Sequence, residues 1–190
     1  MNSKLAEKTL TTELKCAGRI FNTIHDTVLL PNGNTAQREV AEHRGGVCIA
    51  ALTEQNELLF VRQFRYPYKE VVLELPAGKL EDGDTPLQNG KRELLEETGA
   101  VGFGFMPLGA IYPSPGFCNE IVHLYFCRVK EFTAPVPDED EFLEIEKIPL
   151  NKAAEMVLNN QIPDAKTQIA VLKTYFLMKE GNSTADECLE

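Results

Sequence analysis

The sequence predicts an α+β fold, in which a mixed sheet packs against helices behind a small N-terminal β segment. Three observations predict it. Short strand-like runs fill the first half of the chain: GVCIAAL at 46–52, LLFVRQFR at 58–65 and VVLEL at 71–75. One well-capped helical stretch interrupts the strands in the middle, and two more helices close the chain. With 43% hydrophobic and 25% charged residues over 190 positions, the chain can bury a sizeable core and lacks the composition of a disordered protein.

The elements follow in order. The first dozen residues are polar and read as a loose arm. Gly18 to His43 reads as two strands around Pro31-Asn32-Gly33, because Asn-Gly between strand-like runs is a strong hairpin signal. The polar link Thr53 to Glu57 suits a hairpin between the next two strands, and Pro76 ends the third. Thr85-Pro86-Leu87-Gln88 is a capping box with proline at the first helical position, and Gly99 fits the residue just past the helix end. Strands are expected near Phe105–Ile111, Ile121–Val129 and Phe142–Ile148. Helices are expected near Asn151–Asn159 and Ala165–Lys179, the second capped by Asp164. From Gly181 the polar tail is expected to fray. The expected organisation is a β segment over 1–44, a main domain over 45–180 and a tail over 181–190.

Composition excludes several function classes. Nineteen Lys+Arg against 29 Asp+Glu give a formal charge of −10, which disfavours nucleic-acid polymers and anionic membranes as partners. A small phosphorylated substrate stays open, since a bound divalent cation reverses the local sign. No apolar run reaches spanning length and the N-terminus is polar, so neither a transmembrane helix nor a secretory signal is expected. The five cysteines are odd in number and scattered without CxxC, and the three histidines make no zinc spacing. Reduced thiols in a cytoplasmic protein are the simplest account.

The middle helix is the informative stretch. At about 100° per residue, Leu87, Lys91, Leu94, Leu95 and Thr98 share one side, while Glu93, Glu96 and Glu97 gather on another. Like charges at such spacings cost about 0.2–0.5 kcal/mol per pair. A solvated acidic face would look much the same, but three features point to a hard cation. The acids sit in the C-terminal half, where the helix dipole disfavours negative charge. Gly90, costing about 1 kcal/mol against Ala inside a helix, leaves room for a loop to approach. A glycine-bounded loop, Gly78 to Asp84, precedes the helix. Carboxylate oxygens are what Mg²⁺ or Mn²⁺ prefers.

The stretch from Gly78 to Ala100 resembles the Nudix box, G-x5-E-x7-R-E-U-x-E-E-x-G-U. Gly78, Arg92, Glu93, Leu94, Glu96, Glu97 and Gly99 match. Asp84 stands where the family has Glu, and Ala100 is a small version of the last apolar position. The resemblance implies the Nudix α/β/α sandwich and hydrolysis of a nucleoside diphosphate linked to another moiety, with Mg²⁺ or Mn²⁺ as cofactor. It implies Glu93 and Glu97 as principal metal ligands, Glu96 at a second metal, the Ala77 carbonyl completing the site, and Arg92 tying the loop to a box glutamate.

The flanks resemble the ADP-ribose pyrophosphatase branch, most of all its bacterial members. Pro115 lies sixteen residues after Gly99 in Tyr112-Pro113-Ser114-Pro115-Gly116. Gln63 to Pro67, Val72 to Gly78, Pro137 to Glu141 and Asp164 to Thr167 fit the same branch. The implied reaction converts ADP-ribose to AMP and ribose 5-phosphate. A broader nucleoside diphosphate-sugar hydrolase and a non-catalytic ADP-ribose sensor are the alternatives; a sensor usually loses box acids, which are all present here. By the same resemblance Arg65 contacts the diphosphate, Pro115 and Gly116 shape the loop beside the terminal ribose, and Arg38 and Glu39 grip adenine across a homodimer built through residues 1–44. Without the resemblance, Arg65 reads as a surface arginine, Pro115-Gly116 as a turn, and Arg38 and Glu39 as charges that block edge pairing. The acidic run Asp138 to Glu141 has no helical or strand period and reads as a loop that closes over substrate. The resemblance implies that a glutamate of this run positions the water, Glu139 as first choice and Glu141 as second; if neither serves, Glu96 or metal-bound hydroxide alone takes the role. Glu120 reads as a supporting acid or a merely exposed one, and the histidines and cysteines as structural.

Overall fold

The computed structural model describes residues 4–136 and 141–186 of the chain. They form two compact units. The first comprises residues 1–45 with 112–121, the second residues 46–111 with 122–190.

The first unit is an antiparallel three-stranded sheet of β1 (Lys8–Ala17), β2 (Phe21–Leu29) and β3 (Thr35–His43), in the order β1-β2-β3. The β2–β3 hairpin turns where Asn-Gly predicts: Gly33 takes φ 85° and its N–H donates to the Leu30 carbonyl at 3.0 Å. β1 replaces the expected loose arm. Every residue of it is exposed, so it has no buried face to announce it; threonines and the backbone ladder to β2 hold it. The 112–121 loop turns at Ser114, whose carbonyl accepts the Cys118 N–H at 3.0 Å, and bridges to β3 where Ala41 donates to the Phe117 carbonyl at 2.7 Å.

In the second unit β4 (Gly46–Leu52) is buried along its whole length and splits its side chains by the two-residue period of a strand. Cys48, Ala50 and Leu52 pack with Leu150, Ala153 and Val157 of α2 (Leu150–Leu158) and Ala170 and Val171 of α3 (Ala165–Asp186). Val47, Ile49 and Ala51 pack with Leu94 of α1 (Pro86–Thr98). One sheet thus carries a helical layer on each face, the expected α/β/α sandwich. The sheet is mixed: β4 runs parallel to β9 (Val122–Phe132), while β8 (Ala100–Ile111) pairs antiparallel with β9 and β10 (Leu143–Pro149) with β5 (Glu57–Arg65).

The expected β4–β5 hairpin is only a fork. The two strands pair at Leu52 with Leu58 alone and then diverge. The opening is filled by the next chain segment, β6 (Glu70–Glu74) along β5 and β7 (Ala77–Lys79) along β4. β7 was expected as loop, because Pro76 and Gly78 read as strand breakers; the ladder to Gly46–Cys48 and the Ile49 N–H, donated to the Pro76 carbonyl at 2.9 Å, override that. β8 likewise starts at Ala100, five residues before expectation, its glycines and proline absorbed at register shifts. α3 runs past Gly181 to Asp186, where fraying was expected.

α1 has the capping box read from the sequence: the Gln88 N–H donates to Thr85 Oγ1 at 3.3 Å, and the Thr85 N–H donates to Gln88 Oε1 at 2.8 Å. Gly99 closes the helix in the left-handed region, φ 68°. Its buried side holds Gly90, Leu94, Glu97 and Thr98, while Leu95 is exposed. The reason is Gly90: what approaches it is not a loop but β4, and a Cβ there would lie 2.9 Å from Val47 Cγ2 and closer still to Ile49. Gly90→Val is therefore expected to destabilise the fold by about 2–3 kcal/mol through overpacking. Chemical denaturation measures it, and a loss below about 0.5 kcal/mol, the range of an ordinary surface change, would contradict the close approach.

Candidate active site

Three box glutamates leave α1 into different surroundings. Glu97 is 3% exposed, and its Oε2 accepts the Ala77 N–H at 3.1 Å. Glu93 lies beneath Gly78, where any Cβ would run into its carboxylate. Glu96 is half-buried and turned to Arg92, 3.2 Å from Nη1 to Oε2. Glycine at 78 is thus needed for close approach: β7 must pass directly over the Glu93 carboxylate.

Burial pushes the Glu97 carboxyl up to about 8, and the Glu93 charge beside it pushes the same way, against the Ala77 N–H. Burial likewise raises Glu93 to about 7, opposed by the neighbouring Arg92 guanidinium. Two adjacent carboxyls so disfavoured as anions are hard-oxygen donors in want of positive charge, and they fit a divalent cation. Among the described residues no three acidic, His or Cys side chains are gathered into a group that could hold a metal ion.

Arg92 organises the loop ahead of the helix. Its Nη2 lies 3.1 Å from Glu81 Oε1 and 3.5 Å from Glu93 Oε1, and donates to Asn89 Oδ1 at 3.0 Å. Asn89 is fully buried, a role the sequence did not reveal. Its Oδ1 also accepts the Glu81 N–H at 2.9 Å and its Nδ2 donates to the Thr85 carbonyl at 3.2 Å, stitching the loop to the first turn of α1.

Arg65, at the end of β5, makes a two-pronged pair with Glu74 of β6, Nε to Oε1 at 2.6 Å and Nη2 to Oε2 at 2.7 Å. Glu74 is 2% exposed and also accepts from Lys166. Lys166 sits 3.0 Å from Asp164 Oδ1, and Asp164 Oδ2 caps α3 through the Thr167 N–H at 2.9 Å. Glu74, Lys166 and Asp164 are site residues that sequence reasoning missed as individuals. Their signal was that they fall in the segments Val72 to Gly78 and Asp164 to Thr167, which resemble the branch as runs without singling out these side chains. The charge of Arg65 is felt at Glu97, so this network and the acidic pair adjoin.

Of the acidic run, only its last residue lies among the described residues. Val136, the last described residue before it, donates its N–H to the Glu96 carbonyl at 2.9 Å. Glu141, the last residue of the run, is half-buried and adds to the negative field that raises Glu93 and Glu97. Asp138, Glu139 and Asp140 lie outside the described residues.

The remaining sequence candidates belong to the first unit. Arg38 is paired with Glu7, Nε to Oε2 at 2.9 Å and Nη2 to Oε1 at 2.6 Å, and Glu39 stands 3.9 Å from His25. As consecutive strand residues they project to opposite faces of the sheet. Pro115 and Gly116 form the turn of the 112–121 loop, and Glu120 lies 3.6 Å from His43 Nδ1. Cys16, Cys48, Cys118 and Cys127 are free thiols, and among the described residues no helix is long and apolar enough to cross a membrane.

The NUDIX domain model matches residues 42–170, which include this site. The chain belongs to the Nudix family. It is 38% identical over 180 residues to an ADP-ribose pyrophosphatase of Bacillus subtilis (strain 168), spanning 93% of this chain and 96% of that protein. It is 40% identical over 173 residues to a methanol dehydrogenase activator of Bacillus methanolicus, spanning 90% and 94%. A crystal structure described as an ADP compounds hydrolase shares the fold, with a TM-score of 0.82 and 18% identity over 95% of this chain and 98% of that one. As a Nudix hydrolase the chain is an enzyme of a family that works with divalent metal ions.

The raised carboxyls predict how stability varies with pH. An acid whose folded pKa lies above its unfolded value favours the fold while protonated. Its contribution is fully present below the unfolded value near 4.5 and is lost as pH rises through the folded values of about 7 and 8. In EDTA the melting temperature should therefore fall between pH 5 and 8 more steeply for wild type than for Glu97→Gln, and Mg²⁺ should flatten the wild-type curve. Identical slopes for the two proteins in EDTA would contradict the burial of Glu97.

Proposed function

We propose that the protein hydrolyses ADP-ribose to AMP and ribose 5-phosphate with Mg²⁺ or Mn²⁺ as cofactor. The observation that carries the reading is the buried Glu93–Glu97 pair beneath the Ala77–Gly78 strand, a donor set suited to a divalent cation. The name of the Bacillus subtilis relative, an ADP-ribose pyrophosphatase, supports the substrate.

In this reading Glu93, Glu97 and the Ala77 carbonyl hold the cation, and Glu96, released from Arg92, joins at a second one. A bound divalent ion neutralises the diphosphate, polarises the attacked phosphorus and acidifies water. Arg65 binds the diphosphate through the planar guanidinium that Glu74 holds in place. A loop glutamate, Glu139 or Glu141, orients the water and takes its proton. The electrostatic effect of Glu141 on Glu93 and Glu97 supports a base from this segment. Arg38, Glu39, Pro115 and Gly116 serve adenine and the terminal ribose, the first two in a homodimer. Their opposite projections favour division of that task between subunits. The setting is cytoplasmic, and neither nucleic-acid polymer nor membrane is a partner.

A panel of nucleoside diphosphate sugars with Mg²⁺ and identified products tests the substrate; comparable turnover across the panel would favour the broader hydrolase, and binding without turnover the sensor. The roles separate in three variants. Glu97→Gln should lower kcat on the order of 10²-fold or more and weaken Mg²⁺ dependence. Glu139→Gln should lower kcat by about 10²–10⁴-fold with metal affinity unchanged, and Glu141→Gln should be milder. If Glu141→Gln is the more damaging, the base is Glu141; if neither matters, the loop supplies no base and Glu96 or metal-bound hydroxide alone takes its place.

A further inference from the structure

The charged network behind Arg65 is buried more deeply than a surface ion pair requires. Exposure falls from 38% for the Arg65 side chain to 16% for Lys166 and 3% for Glu74. Only Arg65 therefore offers a face to a ligand. Glu74 uses both oxygens on Arg65, and its Oε2 is shared with Lys166. Lys166 in turn lies against Asp164, which caps α3. The next residue, Thr167, accepts the Leu75 N–H at 2.9 Å. The first turn of α3 thus grips the last residue of β6, Glu74, and the next residue, Leu75, in the segment that leads to Ala77.

We propose that Lys166 is a positioning residue for substrate binding: from behind Glu74 it balances that carboxylate, so that the charge of Arg65 remains available to an anionic diphosphate. The inference rests on the reading of Arg65 given above. Without Lys166 the carboxylates of Glu74 and Asp164 would outnumber Arg65, and a guanidinium in a net-negative cluster attracts a diphosphate weakly. With Lys166 and Asp164 included, two cations face two carboxylates, and the exposed end of the chain of charges is the positive one. Lys166 does this from a place where substrate does not reach. Its strong preference for the charged form, set by Asp164 and Glu74 against the cost of burial, agrees with the geometry. The grip on Glu74 also fixes the plane of the Arg65 fork, since the two-pronged pair admits one orientation.

The test is steady-state hydrolysis of ADP-ribose with Mg²⁺ by the full-length protein. Lys166→Met keeps the length and removes the charge, leaving the network net negative. It should raise KM about 10-fold while kcat changes less than about 3-fold. Adding Asp164→Asn, whose amide oxygen can still cap α3, restores neutrality and should recover most of that KM. A merely structural lysine would show no such rescue, because the double variant removes more bonds than the single one. Should Lys166→Met fail to fold, Asp164→Asn alone decides: it leaves the network net positive and should lower KM. Arg65→Met is the reference. If it raises KM while Lys166→Met folds and leaves KM unchanged, or the double variant is no better than the single, the positioning role is overturned and the function stands. If Asp164→Asn alone raises KM, the positioning role is likewise overturned. If the wild type does not turn over ADP-ribose, or Arg65→Met leaves KM unchanged, the reading of Arg65 falls and this inference with it.

Discussion

The site depends on a carboxylate buried in the wrong place for a carboxylate. Glu97 sits among Leu94, Thr98 and the sheet, with one backbone N–H, that of Ala77, to answer it. A single hydrogen bond does not offset the burial of a full charge, least of all with Glu93 alongside. The arrangement is unfavourable for the protein by itself and becomes favourable when positive charge enters. The chemistry of the family, a cation between carboxylates and a diphosphate, follows from that imbalance.

What brings Ala77 to Glu97 is the fork between β4 and β5. Had the two strands paired along their length, the segment from Glu74 to Lys79 would have had no place in the sheet. Because they part after Leu52 and Leu58, β6 and β7 enter the gap, and a short piece of chain connects the two halves of the site. At one end Glu74 holds Arg65; at the other Ala77 and Gly78 cover Glu97 and Glu93. The Gly90 contact with β4 sets the distance of α1 from the sheet, and Gly78 lets the strand cross the Glu93 carboxylate. Each glycine stands where a side chain would push these layers apart.

Electrostatically the site has two adjoining parts of opposite character. The acidic pair on α1 is short of positive charge, whereas the network of Arg65, Glu74, Lys166 and Asp164 is balanced and places its cation outermost. A diphosphate with divalent cations is complementary to both, metal toward the glutamates and oxygens toward the guanidinium. The overall acidity of the chain therefore does not oppose an anionic substrate, since the sign that matters is local.

Much of this was legible in the residues. The capping box around Thr85 and Gln88, the Gly99 stop, the Asn-Gly turn and the clustering of Glu93, Glu96 and Glu97 are local rules, set by a few neighbouring side chains, and the α+β class follows from runs long enough to show their period, whereas the α/β/α layering was implied by the family resemblance. Elements whose signal was not local escaped. β1 has no buried face, β7 carries proline and glycine at its head, and β8 begins among glycines, so only their ladders define them. Glu74, Asn89 and Lys166 were likewise invisible as functional positions. Some of their partners are near in the chain, but Glu74 and Lys166 meet across 92 residues, and a polar side chain becomes a buried network only when its complement arrives. The sequence by itself determined which helix bears the acids, because helical periodicity and capping act over one or two turns. Only the tertiary structure decided which acid is buried and which is held by Arg92, and which cation faces outward, because burial and ion pairing depend on what packs alongside.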